Sequence, residues 1–132
     1  MLTNSHNSDA QTNSYGTFGG YGGGTTVSGG TLGFTNGAIG GGVVDITGNA
    51  TLRWESGNTQ DITTGSGAGV ARSVKIEDGV TATFNTNGNN VTLGNALAVG
   101  GSGTGALTKY GAGTLALGAA NTYSGTTTVS GG

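Results

Sequence analysis

Five carboxylates along the body of the chain, Asp45, Glu55, Asp61, Glu77 and Asp78, with Asp9 and the single histidine His6 near the start, are the first candidates for acid–base chemistry. A hydrolytic triad needs a histidine held in place beside its nucleophile. His6 lies instead among Ser5, Asn7, Ser8 and Asp9, in a stretch with almost no apolar residue to fix it. A pair of carboxylates hydrolyses glycosides when the two flank a bound sugar at a set separation. Glu77 and Asp78 are neighbours, so at a strand end their side chains diverge. Glu55 and Asp61 can meet across the turn 56–60, but no cluster of sugar-binding aromatics accompanies them. The bland reading prevails: these acids are outward, solubilising charge, and no catalytic residue is assigned.

Metal and cofactor chemistry finds as little support. The chain contains no cysteine, which removes disulfides and thiolate metal sites. A calcium-binding solenoid turn needs Gly-Gly-x-Gly-x-Asp. Gly40-Gly41-Gly42-Val43-Val44-Asp45 puts two valines before its aspartate and reads as a structural turn. Gly101-Ser102-Gly103-Thr104-Gly105 lacks the Gly-Lys-Ser/Thr that places a phosphate-binding lysine, so it reads as a loop. No cofactor and no metal is expected. Arg53, Arg72, Lys75 and Lys109 are scattered in a chain of net charge −2, so no nucleic-acid partner is expected. Nothing approaches the ~20 consecutive apolar residues that span a bilayer, and no membrane insertion by this segment is expected. The start carries no basic region followed by an apolar run, and no signal peptide is read there. Asn49-Ala50-Thr51 and Asn90-Val91-Thr92 match glycosylation sequons, as short triplets do in an Asn/Thr-rich chain.

The elements that would position any site are short strands. Thirty-one glycines in 132 residues, no proline and 8% charged residues set the composition apart from an ordinary globular domain. Low net charge and recurrent aliphatic clusters argue against disorder for most of the chain. Strand candidates are Thr25–Ser28, Thr31–Phe34, Val43–Thr47, Thr51–Glu55, Asp61–Thr64, Ser73–Glu77, Val80–Asn85, Val91–Leu93, Leu97–Val99, Ala106–Lys109, Thr114–Leu117 and Thr126–Ser130. Leu52 and Trp54 alternate with Thr51, Arg53 and Glu55, as Val74 and Ile76 do with their polar neighbours and Ala82 and Phe84 with theirs. Trp54 and Phe84 therefore belong in a core and not in a carbohydrate platform, while for Tyr110 and Tyr123, beside glycine turns, both places stay open. No stretch keeps a 3.6-residue apolar period.

An antiparallel sandwich and a parallel solenoid both fit, and the solenoid is favoured. Thr51–Glu55 and Ser73–Glu77 agree in pattern at a spacing of 22 residues, about one turn of a three-strand coil. Direct stacking at that spacing opposes Arg53 to Lys75 and Glu55 to Glu77, which is unfavourable unless the strands are offset or lie on different faces. The expected domains are a polar, flexible arm over 1–18 and a β-solenoid over 19–132.

A repeat sharpens this reading. Tyr21–Gly30 returns nearly unchanged as Tyr123–Gly132, and internal recurrence marks architectures in which each unit completes its neighbour's core. The run Leu107-Thr108-Lys109-Tyr110-Gly111-Ala112-Gly113-Thr114-Leu115-Ala116-Leu117, followed by Asn121–Gly132, resembles the passenger-associated repeat of bacterial autotransporter proteins. The resemblance implies a right-handed parallel β-helix, here of about four to five turns if strands stack ~4.8 Å apart. It also implies export to the cell surface, by type V secretion, with anchorage through a barrel outside this segment. Its structural residues would be Tyr21, Val27, Leu107, Lys109, Gly111, Gly113, Leu115, Leu117, Asn121, Tyr123 and Val129. The function expected is a non-catalytic stalk or scaffold for adhesion or surface display, meeting a host or neighbouring cell surface. The alternative is a fibre subunit whose partner is itself, stacked end to end; a carbohydrate-active β-helix using Glu55 and Asp61 ranks third.

Overall fold

A computed structural model of the chain describes residues 11–13, 24–39, 41–65 and 71–132. Among them are twelve strands and no helix: β1 (Gln11–Asn13), β2 (Thr25–Val27), β3 (Gly30–Phe34), β4 (Val44–Ile46), β5 (Ala50–Trp54), β6 (Val74–Ile76), β7 (Thr81–Asn85), β8 (Val91–Leu93), β9 (Ala98–Val99), β10 (Ala106–Tyr110), β11 (Leu115–Leu117) and β12 (Thr127–Val129). Every strand pairing is parallel. The antiparallel sandwich is thereby set aside.

The strands form one large sheet in the order β1-β3-β5-β7-β10-β12, a second in the order β2-β4-β6-β9, and a third of β8 and β11. The chain leaves each sheet and returns one strand further along, as a parallel β-coil does. The return takes 20 residues from Gly30 to Ala50, 32 from Ala50 to Ala82, 25 from Thr81 to Ala106 and 20 from Leu107 to Thr127. Corners such as Thr35-Asn36-Gly37-Ala38 and Thr86-Asn87-Gly88-Asn89 close with a backbone bond between their first and fourth residues, and turns of this kind draw on Asn and Gly.

Alternation decides which side chains enter the core. In the large sheet Leu32, Leu52 and Phe84 stack in register, and Ala50, Ala82 and Leu107 form a second inward column. Trp54 is fully enclosed between Phe34 and Phe84, with ring centroids 4.9 and 5.5 Å away. Its indole N–H donates to the Gln60 carbonyl at 2.9 Å. Tilted and edge contacts of this kind add about 0.5–1.5 kcal/mol per pair beyond the area they bury. Outside, Thr31, Thr51, Thr83, Thr108 and Thr128 form one threonine ladder.

Three expectations are corrected. The 22-residue equivalence fails, because β5 belongs to the large sheet and β6 to the second. Arg53 accordingly lies beside Gly33 and Asn85, while Lys75 lies beside Asp45, so the like charges are never opposed. Asp61–Thr64 is a turn ending in an antiparallel bridge from Thr64 to Ala71, not a strand. Gln11–Asn13, assigned to the polar arm, pairs with Gly30–Leu32 as the outermost strand of the large sheet.

Candidate functional site

The segment from Leu107 to Gly132 contributes β10 and β12 to the large sheet and β11 to the third. Leu107 points inward over Ala82, and its partner in the next strand is Thr127. Leu115 and Leu117 stack on Val91 and Leu93 in the third sheet and pack half-buried against the core. Tyr123 lies against the same core, its hydroxyl sharing a 2.8 Å hydrogen bond with Thr127 Oγ1. Asn121 Oδ1 accepts from the Leu97 amide at 2.7 Å and so ties this segment to the preceding coil. Tyr110 is 52% exposed and Val129 68% exposed. Between these elements opens a hollow of about 280 Å³ lined by Leu107, Lys109, Leu115, Leu117 and Val129.

The two glycines of Gly111-Ala112-Gly113 are demanded by the corner. Both have left-handed φ, 77° and 89°, which L side chains rarely adopt. A β-carbon at Gly111 would stand 2.3 Å from Asn85 Oδ1, and one at Gly113 would stand 2.1 Å from the Asn89 carbonyl. The sharp turn into β11 thus needs glycine for conformation and for clearance.

Lys109 is the surprise of the segment. Alternation turns it inward, and it is 6% exposed. Its Nζ donates to the carbonyls of Tyr110 at 3.1 Å, Gly111 at 2.5 Å and Gly131 at 3.1 Å. Burial lowers the pKa of this ammonium from its ordinary value.

Residues 107–132 match the family model described as the passenger-associated-transport-repeat. The match starts at the first inward residue of β10 and covers the corner glycines, Lys109 and β12. No curated protein and no solved structure matches the chain.

The earlier copy of the repeated decapeptide is placed differently. Tyr21 lies outside the described residues. Val27, in β2, is buried in the second sheet beside Ile46, whereas Val129 belongs to the large sheet.

Of the acids that sequence reasoning weighed for catalysis, Asp45 buries one carboxylate oxygen without a hydrogen-bond partner, and Glu55, Asp61 and Glu77 are separately engaged. Glu55 accepts from Arg53 at 2.6 Å on its own strand. Asp61 accepts from the amide and hydroxyl of Thr63, the Thr64 hydroxyl and the Gly94 amide. Burial by itself would raise the Asp61 pKa; these hydrogen bonds outweigh it and leave it lowered. Glu77 is 3.9 Å from Lys75. His6 and Asp9 lie outside the described residues, among which no group of three or more His, Cys, Asp or Glu converges.

Sequence reasoning missed the work of Asp78. The amides of Ser102 and Thr104 donate to its carboxylate at 2.7 and 3.0 Å, and the hydroxyls of both residues add to them. The Ser102 amide first and the Thr104 amide next pull its pKa down to about 2. The loop 101–105 is therefore an anion cradle, but its anion is a side chain of the neighbouring coil. Asn58 and Asn89 do similar work at the corners, donating to the carbonyls of Phe34 at 2.7 Å and Glu55 at 3.0 Å. Their common place, the fourth residue of a corner turn, is the one signal that could have marked them.

Proposed function

We propose that the chain is a non-catalytic structural segment of an exported, autotransporter-like surface protein. It folds as a right-handed β-helix of about four to five coils, the hand that parallel β-crossover-β connections take in nearly all cases. Its role is a stalk or scaffold that holds an adhesive or displayed region away from the cell. The observation that carries this reading is the passenger-associated repeat at 107–132 seated on parallel sheets. A cysteine-free chain also suits export in an unfolded state, since no disulfide can lock it before transit.

The direct test fuses the chain between a signal peptide and an autotransporter barrel, with an epitope at its N-terminal side. Intact cells should bind antibody to the epitope, and the segment should resist added protease as a folded unit. Retention inside the cell, or digestion at the surface as fast as an unfolded control, would sink the proposal.

A second reading, a fibre subunit stacking end to end, draws on β12, an edge strand that carries the exposed Val129. Uncovered edges recruit further strands. Light scattering separates the readings: a monomer over a wide concentration range counts against the fibre.

A further inference from the structure

Lys109 occupies a place that packing alone would give to an apolar side chain. In register along the large sheet it follows Leu32, Leu52 and Phe84 and precedes Val129. An ammonium has three donors and no acceptor. The carbonyls of Tyr110, Gly111 and Gly131 use all three, and no carboxylate is among the partners. Enclosing a cation among neutral partners costs more than enclosing an apolar chain of equal size. Stability therefore does not explain the lysine.

What the lysine adds is selection. The strand that must be aligned on β10 is Thr127-Thr128-Val129, preceded by Thr126 and followed by Ser130. A slip of one residue reverses which side chains of the strand face inward; a slip of two keeps the alternation, exchanging Thr128 for Thr126 or Ser130 on the outer face and Val129 for Thr127 or Gly131 opposite Lys109. Alternation by itself thus does not separate alignments two residues apart. In the observed alignment the Gly131 carbonyl reaches the ammonium.

We infer that Lys109 is a register clip: a positioning residue whose ammonium, held by the corner carbonyls of its own coil, captures the Gly131 carbonyl and so selects the alignment of β12 on β10. The clip acts through the fold alone and stands whether or not the chain serves as a surface stalk. It also gives a physical reason for a lysine between the leucine and the glycines of this segment.

The absence of native cysteine makes a clean test available. Neighbouring parallel strands lie about 4.8 Å apart, within disulfide reach. Thr108→Cys with Thr128→Cys reports the observed register, and Thr108→Cys with Thr126→Cys or Ser130→Cys reports the two slipped ones. Each pair is oxidised mildly in the Lys109 protein and in Lys109→Met, which keeps the length and removes the donors. Urea unfolding of the two cysteine-free parents is measured alongside. With lysine, the 108–128 pair should form in preference to either slipped pair by about tenfold, on the scale of one charge-assisted hydrogen bond. With methionine the preference should largely vanish while the urea midpoint holds or rises. A preference that survives in Lys109→Met overturns the clip. So does a collapse of the midpoint, which would show that the lysine supplies stability and not alignment.

Discussion

Thr25-Thr26-Val27 and Thr127-Thr128-Val129 are the same three residues in two places, each followed by Ser-Gly-Gly. Among the described residues both are edge strands, one in the second sheet and one in the large sheet. Val27 is 1% exposed and Val129 68% exposed. Edge position does not separate them; what faces them does. Val27 joins a filled interior with Leu32, Val44 and Ile46, while Val129 borders the hollow beside Lys109. The residue before the shared triplet differs too: Gly24 stands where the second copy has Thr126. A β-carbon on Gly24 would meet the Val43 carbonyl at 2.9 Å. Near-identical sequence thus acquires different structural roles from its surroundings.

The largest effect expected from breaking this comparison lies in the core. Trp54→Ala should cost about 3–5 kcal/mol in urea unfolding, as large aromatic truncations do. Val27→Ala should cost about 1–3 kcal/mol, whereas Val129→Ala should fall within about 0.5 kcal/mol of the parent. Equal losses at the two valines would show that Val129 is as well enclosed as Val27.

The backbone half of the comparison is sharpened by exchanging its distinguishing residues. Gly24→Thr should destabilise by about 1–3 kcal/mol, because the added side chain meets backbone that must shift. Thr126→Gly, at an exposed position, should cost less than about 1 kcal/mol. A neutral Gly24→Thr would show that the close approach to the Val43 carbonyl does not demand glycine.

The smallest effect is electrostatic. Asp78 has a folded pKa of about 2 against an ordinary 3.8. Its contribution is therefore present above about pH 4 and is lost as the pH falls through about 2. Amide exchange at Ser102 and Thr104 should accelerate over that interval. Asp78→Asn should exchange faster already at neutral pH and respond less to acid. Protection that is unchanged in Asp78→Asn would show that the loop holds itself without the carboxylate.

Much of the architecture is legible before any contact is known. Leu52 with Trp54, Val74 with Ile76, and Ala82 with Phe84 alternate with polar neighbours, and each pair is buried in its strand. The repeat at 107–132 is legible too, since its marker residues are close in sequence. Asp61–Thr64 misled because a short run of Ile and Thr has strand composition, while Asp61 caps the local amides and bends the chain into a turn.

Sequence by itself determined most of the strands, their inward faces and the glycine corners, because alternation and positive φ are set by adjacent residues. Tertiary structure alone decided that β5 and β6 lie in different sheets, that Asp78 is gripped by the next coil, and that Lys109 turns its charge onto Gly131. These contacts join residues about twenty or more apart along the chain. The number of residues spent on each return varies from 19 to 32. No fixed period therefore announces which residue will stand above which, and only the folded coil brings each pair together.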